Sequence, residues 1–306
     1  MNLLNLFVNS YSFLRNYAMP YWVMTPIRRF VRKLAYKYLP EYLSKPYKLS
    51  DKVCKGLIVS FTSFPARIND VWQVVECMKR QTQLPEKIIL WLSKEQFPTR
   101  ESVPQNLRDR EDELFSIRLV EGDIRSHKKY YYVSKEYPEH LIFLIDDDIY
   151  YDTDIINRSI IEYRNYGGRC VICNYGCEIK YGKNGILPYS QWTSVERKKE
   201  GRGLFFGSGG GTLFRPCELF EDLTNIGLAL RLTPLADDIW LNVMALKSDL
   251  QKIMLPNGPL LSIDFDENIT LSSLNNGYGK NDEQIIAVKQ FYGDVFNNPL
   301  DSMNIT

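Results

Sequence analysis

From Lys55 onward, short apolar runs and amphipathic stretches alternate along the chain, and the alternation predicts strands and helices in turn. Leu57 to Thr62 is an apolar strand, and Asp70 to Gln81 follows with Val71, Val74, Val75 and Met78 at helical spacing. A turn at Leu84 and Pro85 leads to a second strand, Lys87 to Ser93. Pro104 to Leu114 predicts a highly charged helix, Ser116 to Val120 a third strand and His127 to Glu136 the next crossover. The strand that begins at His140 runs through Leu141-Ile142-Phe143-Leu144-Ile145 and ends in Asp146-Asp147-Asp148. Strands and helices in this order argue for an α/β fold, a Rossmann-type, mostly parallel sheet flanked by helices.

After Asp154 the pattern changes. One helix extends to Asn165, a strand runs through Val171, and the Gly-, Tyr- and Lys-rich stretch from Tyr175 to Gly203 reads as a loop or flap. Gly207-Ser208-Gly209-Gly210-Gly211 precedes a strand at Thr212 to Arg215, and Leu235 to Leu250 is a helix opening with Asp237 and Asp238. Residues 1–50 differ from the rest, being rich in Tyr, Phe, Leu and Arg and punctuated by Pro20, Pro26, Pro40 and Pro46. Ile27 to Leu39 reads as a short basic helix within this extension. The expected organisation is an N-terminal helical extension over 1–50 and one domain over 51–306, with a nucleotide-binding half (51–154) and an acceptor half (155–306).

The composition, 44% hydrophobic and 25% charged, is that of a globular domain. The formal net charge of +1 hides an asymmetry, because residues 1–50 carry eight Lys or Arg against Glu41 alone. The extension is therefore +7 and the remainder −6. A basic, aromatic segment of this kind can lie on an anionic membrane surface, or it can pack on the main domain with its basic face in water. No run of about 20 apolar residues exists, so no membrane span is expected, and the N-terminus lacks the basic start of a secretory signal. The spacing of Cys170, Cys173 and Cys177 could suggest zinc, but only His127 and His140 are present and the cysteines sit in an apolar run. Free buried thiols in a reducing compartment are expected instead.

The chemistry concentrates at three acids delivered to one point by a buried strand. Such a cluster costs free energy unless a cation offsets it, and an all-oxygen donor set suits Mg²⁺ or Mn²⁺ better than zinc. A solvated Asp-rich turn is the alternative. The first strand ends in Ser60-Phe61-Thr62-Ser63-Phe64-Pro65, with Arg67 beyond, where hydroxyls and a guanidinium could hold a nucleotide phosphate. Asp123, Arg125, Lys128 and Lys129 add charge on the same side of the sheet, or else form a solvated helix start. The glycine run lacks the Lys and Ser/Thr of a phosphate-binding P-loop and precedes a strand, so it reads as a place of close backbone approach by substrate. Asp237 and Asp238 serve either as simple N-terminal helix charges or as a general base. Tyr189 and Trp192 of the flap could stack on a ligand or merely pack.

The stretches Ser60-Phe-Thr-Ser-Phe-Pro-Ala-Arg67, Gln81-Thr-Gln-Leu-Pro-Glu-Lys-Ile-Ile-Leu-Trp-Leu92, Asp146-Asp-Asp148, Gly209-Gly-Gly211 and Ala236-Asp-Asp-Ile-Trp240, in this order over about residues 55–290, resemble the GT-A glycosyltransferases. The likeness is greatest to family-2-like enzymes of bacterial capsule or lipopolysaccharide synthesis. It implies that Asp146 and Asp148 bind Mn²⁺ or Mg²⁺, and that Thr62, Ser63, Arg67, Ser93, Asp123, Arg125, Lys128, Asp146 and Asp147 surround a nucleotide-sugar donor, taken as a UDP-sugar. By the same resemblance Asp238 is the base of an inverting transfer, with Asp237 as neighbour or substitute, and Trp192, Gly209, Gly210 and Gly211 meet the acceptor. Asn281-Asp282-Glu283-Gln284 matches a late motif of such enzymes. A glycan or lipid-linked acceptor and an anionic membrane surface are the expected partners, without nucleic acid, and the expected place is the cytoplasmic face of the cell membrane. Cys173-Asn174-Tyr175-Gly176-Cys177 departs from the family's usual basic or His-containing residues, which leaves the acceptor open. An Asp-nucleophile phosphohydrolase and an inactive carbohydrate-binding protein remain as other classes.

Overall fold

Strands whose two faces are both covered need apolar residues at every position, and the uninterrupted runs of this chain form the centre of the fold. The structure, a computed structural model, describes residues 2–13, 21–183, 185–195, 197–255, 260–263 and 279–296. Its central sheet has eight strands. Four of them, β1 (Val53–Thr62), β2 (Leu84–Ser93), β3 (Phe115–Val120) and β4 (Leu141–Ile145), are mutually parallel, in the order β4-β1-β2-β3. The chain thus builds outward from β1 to β3 and then returns to the other side of β1. The boundary between β1 and β4 is the topological switch point, where ligands of open α/β sheets sit beyond the carboxyl ends of the strands.

The side-chain alternation divides the interior into two layers. Leu57, Val59 and Phe61 face one layer with Leu90, Phe143 and Ile145; Ile58 faces the other with Ile89, Trp91, Ile142 and Leu144. Helices α3 (Val71–Lys79) and α6 (Ile155–Asn165) cover the first layer, while α5 (Lys128–Glu136) and α8 (Asp237–Lys247) cover the second. Each fully buried Leu, Ile, Val or Phe contributes roughly 1.5–3 kcal/mol.

The second half extends the sheet with antiparallel character. β13 (Gly210–Phe214) runs antiparallel between β4 and β6 (Cys170–Cys173), and β14 (Gln251–Met254) lies parallel to β6, with β11 (Lys199–Glu200) at the edge. The expected flap contains a small sheet of its own, β10-β7-β12, made of Thr193–Ser194, Gly176–Glu178 and Leu204–Phe206. Strands of two or three residues show no readable period, which is why the stretch reads as loop in the sequence. β15 (Leu261–Ser262) pairs with β5 (Ile149–Tyr150) just past the acidic triplet.

Two further expectations are corrected. The charged helix expected over Pro104 to Leu114 is a single turn, α4 (Gln105–Arg108). Its charges serve tertiary partners: Arg110 Nε meets Glu76 Oε1 at 2.9 Å, and Asp112 Oδ1 accepts from the Leu114 and Phe115 amides. The N-terminal basic helix is longer than expected, because α2 (Tyr21–Ser44) continues through Pro26 and Pro40. Packing of Met24, Ala35, Leu39 and Leu43 offsets the hydrogen bonds that the prolines forgo. Both α1 (Leu3–Phe13) and α2 pack on the domain. Asn5 exchanges two 2.8 Å hydrogen bonds with Thr153, donating to its hydroxyl and accepting from its amide. Arg80 donates to the carbonyls of Leu43 and Lys45 and lies 3.6 Å over the Tyr47 ring. Among the described residues no helix is long and apolar enough to cross a membrane.

All six cysteines are free thiols, and Cys77, Cys170 and Cys173 are buried. Beside Cys173 and Cys177 lies Lys252, wholly buried, with its Nζ donating to the Leu204 carbonyl. Burial pushes its pKa from 10.5 down to about 7. The unfolded chain keeps that proton to about pH 10.5, so this lysine's contribution to stability is full above 10.5 and is lost as pH falls toward about 7. Lys252→Met is therefore expected to melt above the parent at pH 7, with the gap closing toward about pH 10. Melting curves of both proteins across this range check it, and parallel curves contradict it.

Candidate active site

Five carboxylates converge on the switch point. Asp146, Asp147 and Asp148 leave the carboxyl end of β4, and Asp237 and Asp238 open α8 and line the same cavity, whose volume is about 620 Å³. The Thr62-Ser63 end of β1, Arg67, Asp123, Arg125 and Lys128 line it as well.

Two cations share these acids. Arg67 Nη1 lies 3.1 Å from Asp147 Oδ1 and 3.0 Å from Asp148 Oδ2, and Ser63 Oγ donates to Asp147 Oδ2 at 2.5 Å. Lys129, which is almost fully buried, places its Nζ 2.9 Å from Asp146 Oδ1 and 3.1 Å from Asp237 Oδ2. Ser208 completes the far side, with its hydroxyl donating to Asp237 Oδ2 and its amide to Asp238 Oδ1, each at 2.7 Å. Among the described residues Arg67 and Lys129 pair with these acids, and burial together with the neighbouring charges sets their proton affinities. Burial, then Asp147 and Asp146, raise the Asp148 pKa to about 7. Burial and the neighbouring Asp237 raise that of Asp238 to about 6. Asp237 behaves in the opposite way: burial works against its charge, but Lys129, His127 and Ser208 outweigh it and hold the pKa below the ordinary value. Burial likewise opposes the Lys129 ammonium, yet Asp146, Asp237 and Asp238 raise its pKa above the usual lysine value.

Carboxylate oxygens are the donor type a hard divalent cation takes, and Asp146 is the most exposed of the triplet at 41% of its side chain. Among the described residues no group of three or more His, Cys, Asp or Glu side chains is arranged to hold a metal ion. A cation held by Asp146 and Asp148 would therefore need oxygens from a ligand, which is how Mg²⁺ commonly binds beside phosphates.

The glycine run serves these acids and does not reach the cavity. A Cβ built on Gly209 would lie 1.8 Å from the Asp146 carboxylate carbon, so only glycine lets that side chain cross the strand. The Gly209 carbonyl also accepts from the Asp146 amide at 3.0 Å and from the Tyr151 hydroxyl. Gly211, at φ +99°, forms the bulge at which β13 shifts register against β4. Gly209, Gly210 and Gly211, expected to meet an acceptor, thus stand outside the cavity lining and support the strand ends around Asp146. Trp192 does not line the cavity either: its Nε1 donates to the Leu187 carbonyl at 2.9 Å, and its ring packs 5.1 Å from Phe205 and 4.9 Å from Tyr189. Tyr189 and Phe205 are the flap aromatics at the cavity wall. Ser93 is also outside, buried at the end of β2 with Oγ accepting from the Glu95 amide.

Asp123 pairs with Lys128 and accepts from Gln96 Nε2 at 2.8 Å and from the Arg125 amide at 2.9 Å. Burial opposes its charge, but Lys128 and Arg125 hold its pKa below the ordinary value. His127 is buried and its pKa is lowered by burial. Its Nε2 faces the Thr233 carbonyl at 2.7 Å and therefore carries the proton, leaving Nδ1 to accept from Tyr130 at 3.0 Å. The late motif is divided between two tasks. Asn281 lines the cavity, while Asp282 accepts from the Tyr189 amide and Gln284 from the Leu235 amide, fixing the flap and the approach to α8. Lys129 stood in the sequence only as added basic charge, and Ser208 and Tyr151 carried no signal.

No protein-family model matches the chain, and no curated protein matches it. Among solved structures it is similar to the mannosyltransferase PcManGT from Pyrobaculum calidifontis in complex with GDP-Man and Mn²⁺, at 11% identity and TM-score 0.47 over 97% of this chain and 78% of that one. It is similar also to CMP:2-keto-3-deoxy-manno-octonic acid synthetase with CTP, at 10% identity and TM-score 0.43 over 78% of this chain and 100% of that one. A third likeness is to apo UDP-glucose pyrophosphorylase, at 10% identity and TM-score 0.41 over 79% of this chain and 98% of that one. At these values the likenesses carry no argument about activity.

Gly209→Ala is expected to displace the Asp146 carboxylate, costing about 1–3 kcal/mol of stability and breaking its contact with Lys129. A melting curve and a structure of the variant check this; an undisturbed Asp146 contradicts it.

Proposed function

We propose that the protein is an inverting, metal-dependent glycosyltransferase that moves a sugar from a nucleotide diphosphate donor, a UDP-sugar, to a glycan or lipid-linked acceptor in surface polysaccharide synthesis. The observation that carries the proposal is one cavity at the switch point lined both by the acidic triplet and by a base of raised proton affinity. The motif order seen in the sequence supports the same reading. The basic extension supports action at the cytoplasmic face of the cell membrane.

Sugar transfer of this kind requires the departing diphosphate's charge to be stabilised and the acceptor hydroxyl to lose its proton. Mn²⁺ or Mg²⁺ held by Asp146 and Asp148 would supply Lewis-acid stabilisation of the leaving diphosphate. Arg67, fixed by Asp147 and Asp148, and the hydroxyl-bearing end of β1 are placed to orient phosphate oxygens. Asp123, Arg125 and Lys128 bound the part of the cavity assigned to the nucleoside. Lys129 engages Asp237 and keeps it ionised, so Asp237 is a charge partner and Asp238 is the proton acceptor. Tyr189 and Phe205 replace Trp192 as the aromatics offered to the sugar.

Asp238→Asn should lower transfer by roughly 10²–10⁴-fold while donor binding, read by calorimetry, is kept. A loss confined to donor affinity contradicts the base assignment. In the parent enzyme the rate should rise with pH through about 6, because Asp238 must be deprotonated to accept the hydroxyl proton. A rate flat between about pH 5 and 8, or release of inorganic phosphate from simple phosphoesters, contradicts the reading.

A further inference from the structure

The N-terminal helix α2 buries one face and presents another of unusual composition. Ala35, Leu39 and Leu43 recur along its inner side and pack on the domain. On the outer side Trp22, Arg29, Phe30, Lys33, Tyr36 and Lys37 fall within about 120° of the helix circumference at 3.6 residues per turn. All six are exposed, with Trp22 at 76% and Phe30 at 61%. The helix carries no acidic residue before Glu41. Large aromatic rings held in water at this exposure gain nothing from the fold of the isolated chain.

We propose that this face of α2 is a docking surface for an anionic lipid bilayer, with Trp22 and Phe30 seated at the headgroup boundary and Arg29, Lys33 and Lys37 on lipid phosphates. Interleaved aromatics and amines suit that boundary, where rings are half desolvated and ammonium or guanidinium groups meet anionic headgroups. A second copy of the chain fits badly, because a twofold pairing of this stripe would oppose like charges. The surface is firmly joined to the rest: α1 pairs with α2, and its Asn5 is doubly bonded to Thr153, which follows the acidic turn. Docking would therefore hold the whole domain, with its cavity, against the bilayer. Nothing in this inference depends on the reaction proposed above, and its test needs no turnover.

The full chain is sedimented with vesicles of phosphatidylcholine alone and with phosphatidylcholine containing phosphatidylglycerol, at low and at raised salt. The parent is expected on the anionic vesicles only, and to be released by salt. The Arg29→Glu, Lys33→Glu, Lys37→Glu triple variant should partition about a hundredfold less. The Trp22→Ala, Phe30→Ala variant should also weaken binding while keeping the salt dependence of the parent. All five positions are exposed, so unchanged melting curves verify that both variants are folded. The inference is overturned if the triple variant binds anionic vesicles like the parent, if neutral and anionic vesicles bind alike, or if duplex DNA competes the protein off the vesicles at equal phosphate concentration.

Discussion

The site depends on one buried ammonium. Lys129 sits between Asp146 at the tip of β4 and Asp237 at the start of α8, and so joins the two halves of the chain at the point where charge is most concentrated. A lysine with so little exposure persists in its charged form only because acids surround it, and those acids tolerate one another only because it is there. Among the described residues five carboxylates face Arg67 and Lys129, and burial, with the neighbouring acids after it, raises the proton affinities of Asp148 and Asp238. A divalent cation with its own phosphate ligands would add positive charge there without a dedicated protein cage.

The surrounding elements position this charge in concrete ways. The switch point puts the ends of β1 and β4 side by side, Gly209 lets the Asp146 carboxylate cross β13, and Tyr151 ties the Asp146 amide to the same turn. Gln284 and Asp282 connect helix α9 (Lys280–Tyr292) to the approach of α8 and to the flap. Helix α1 braces the segment just after the triplet through Asn5 and Thr153.

Much of this could be read from residues alone, and the reasons for the exceptions are physical. Strands β1 to β4 are visible because burial of both faces demands unbroken apolar runs, and the acids stand out because such a run delivers them. Asp237 and Asp238 were within reach as the first turn of a helix. Trp192 and the glycines lie outside the cavity lining because their places are set by partners far away in sequence: Phe205 for the indole, and the Asp146 carboxylate for Gly209. The charged segment 104–114 has helical composition, but Arg110 and Asp112 are claimed by Glu76, Lys79 and nearby amides, so tertiary contacts prevail over propensity. Lys129 could not be singled out from its basic neighbours without knowing which side of α5 faces the acids.

The account stands or falls on whether the cluster takes a divalent cation together with a diphosphate. Electron paramagnetic resonance of Mn²⁺ titrated into the intact protein, with and without UDP, tests this directly. The free-ion signal should diminish as protein is added, and UDP should tighten the binding by about tenfold or more while the protein tightens UDP binding equally. A free Mn²⁺ signal unaffected by the protein, in the presence of UDP as in its absence, contradicts the account.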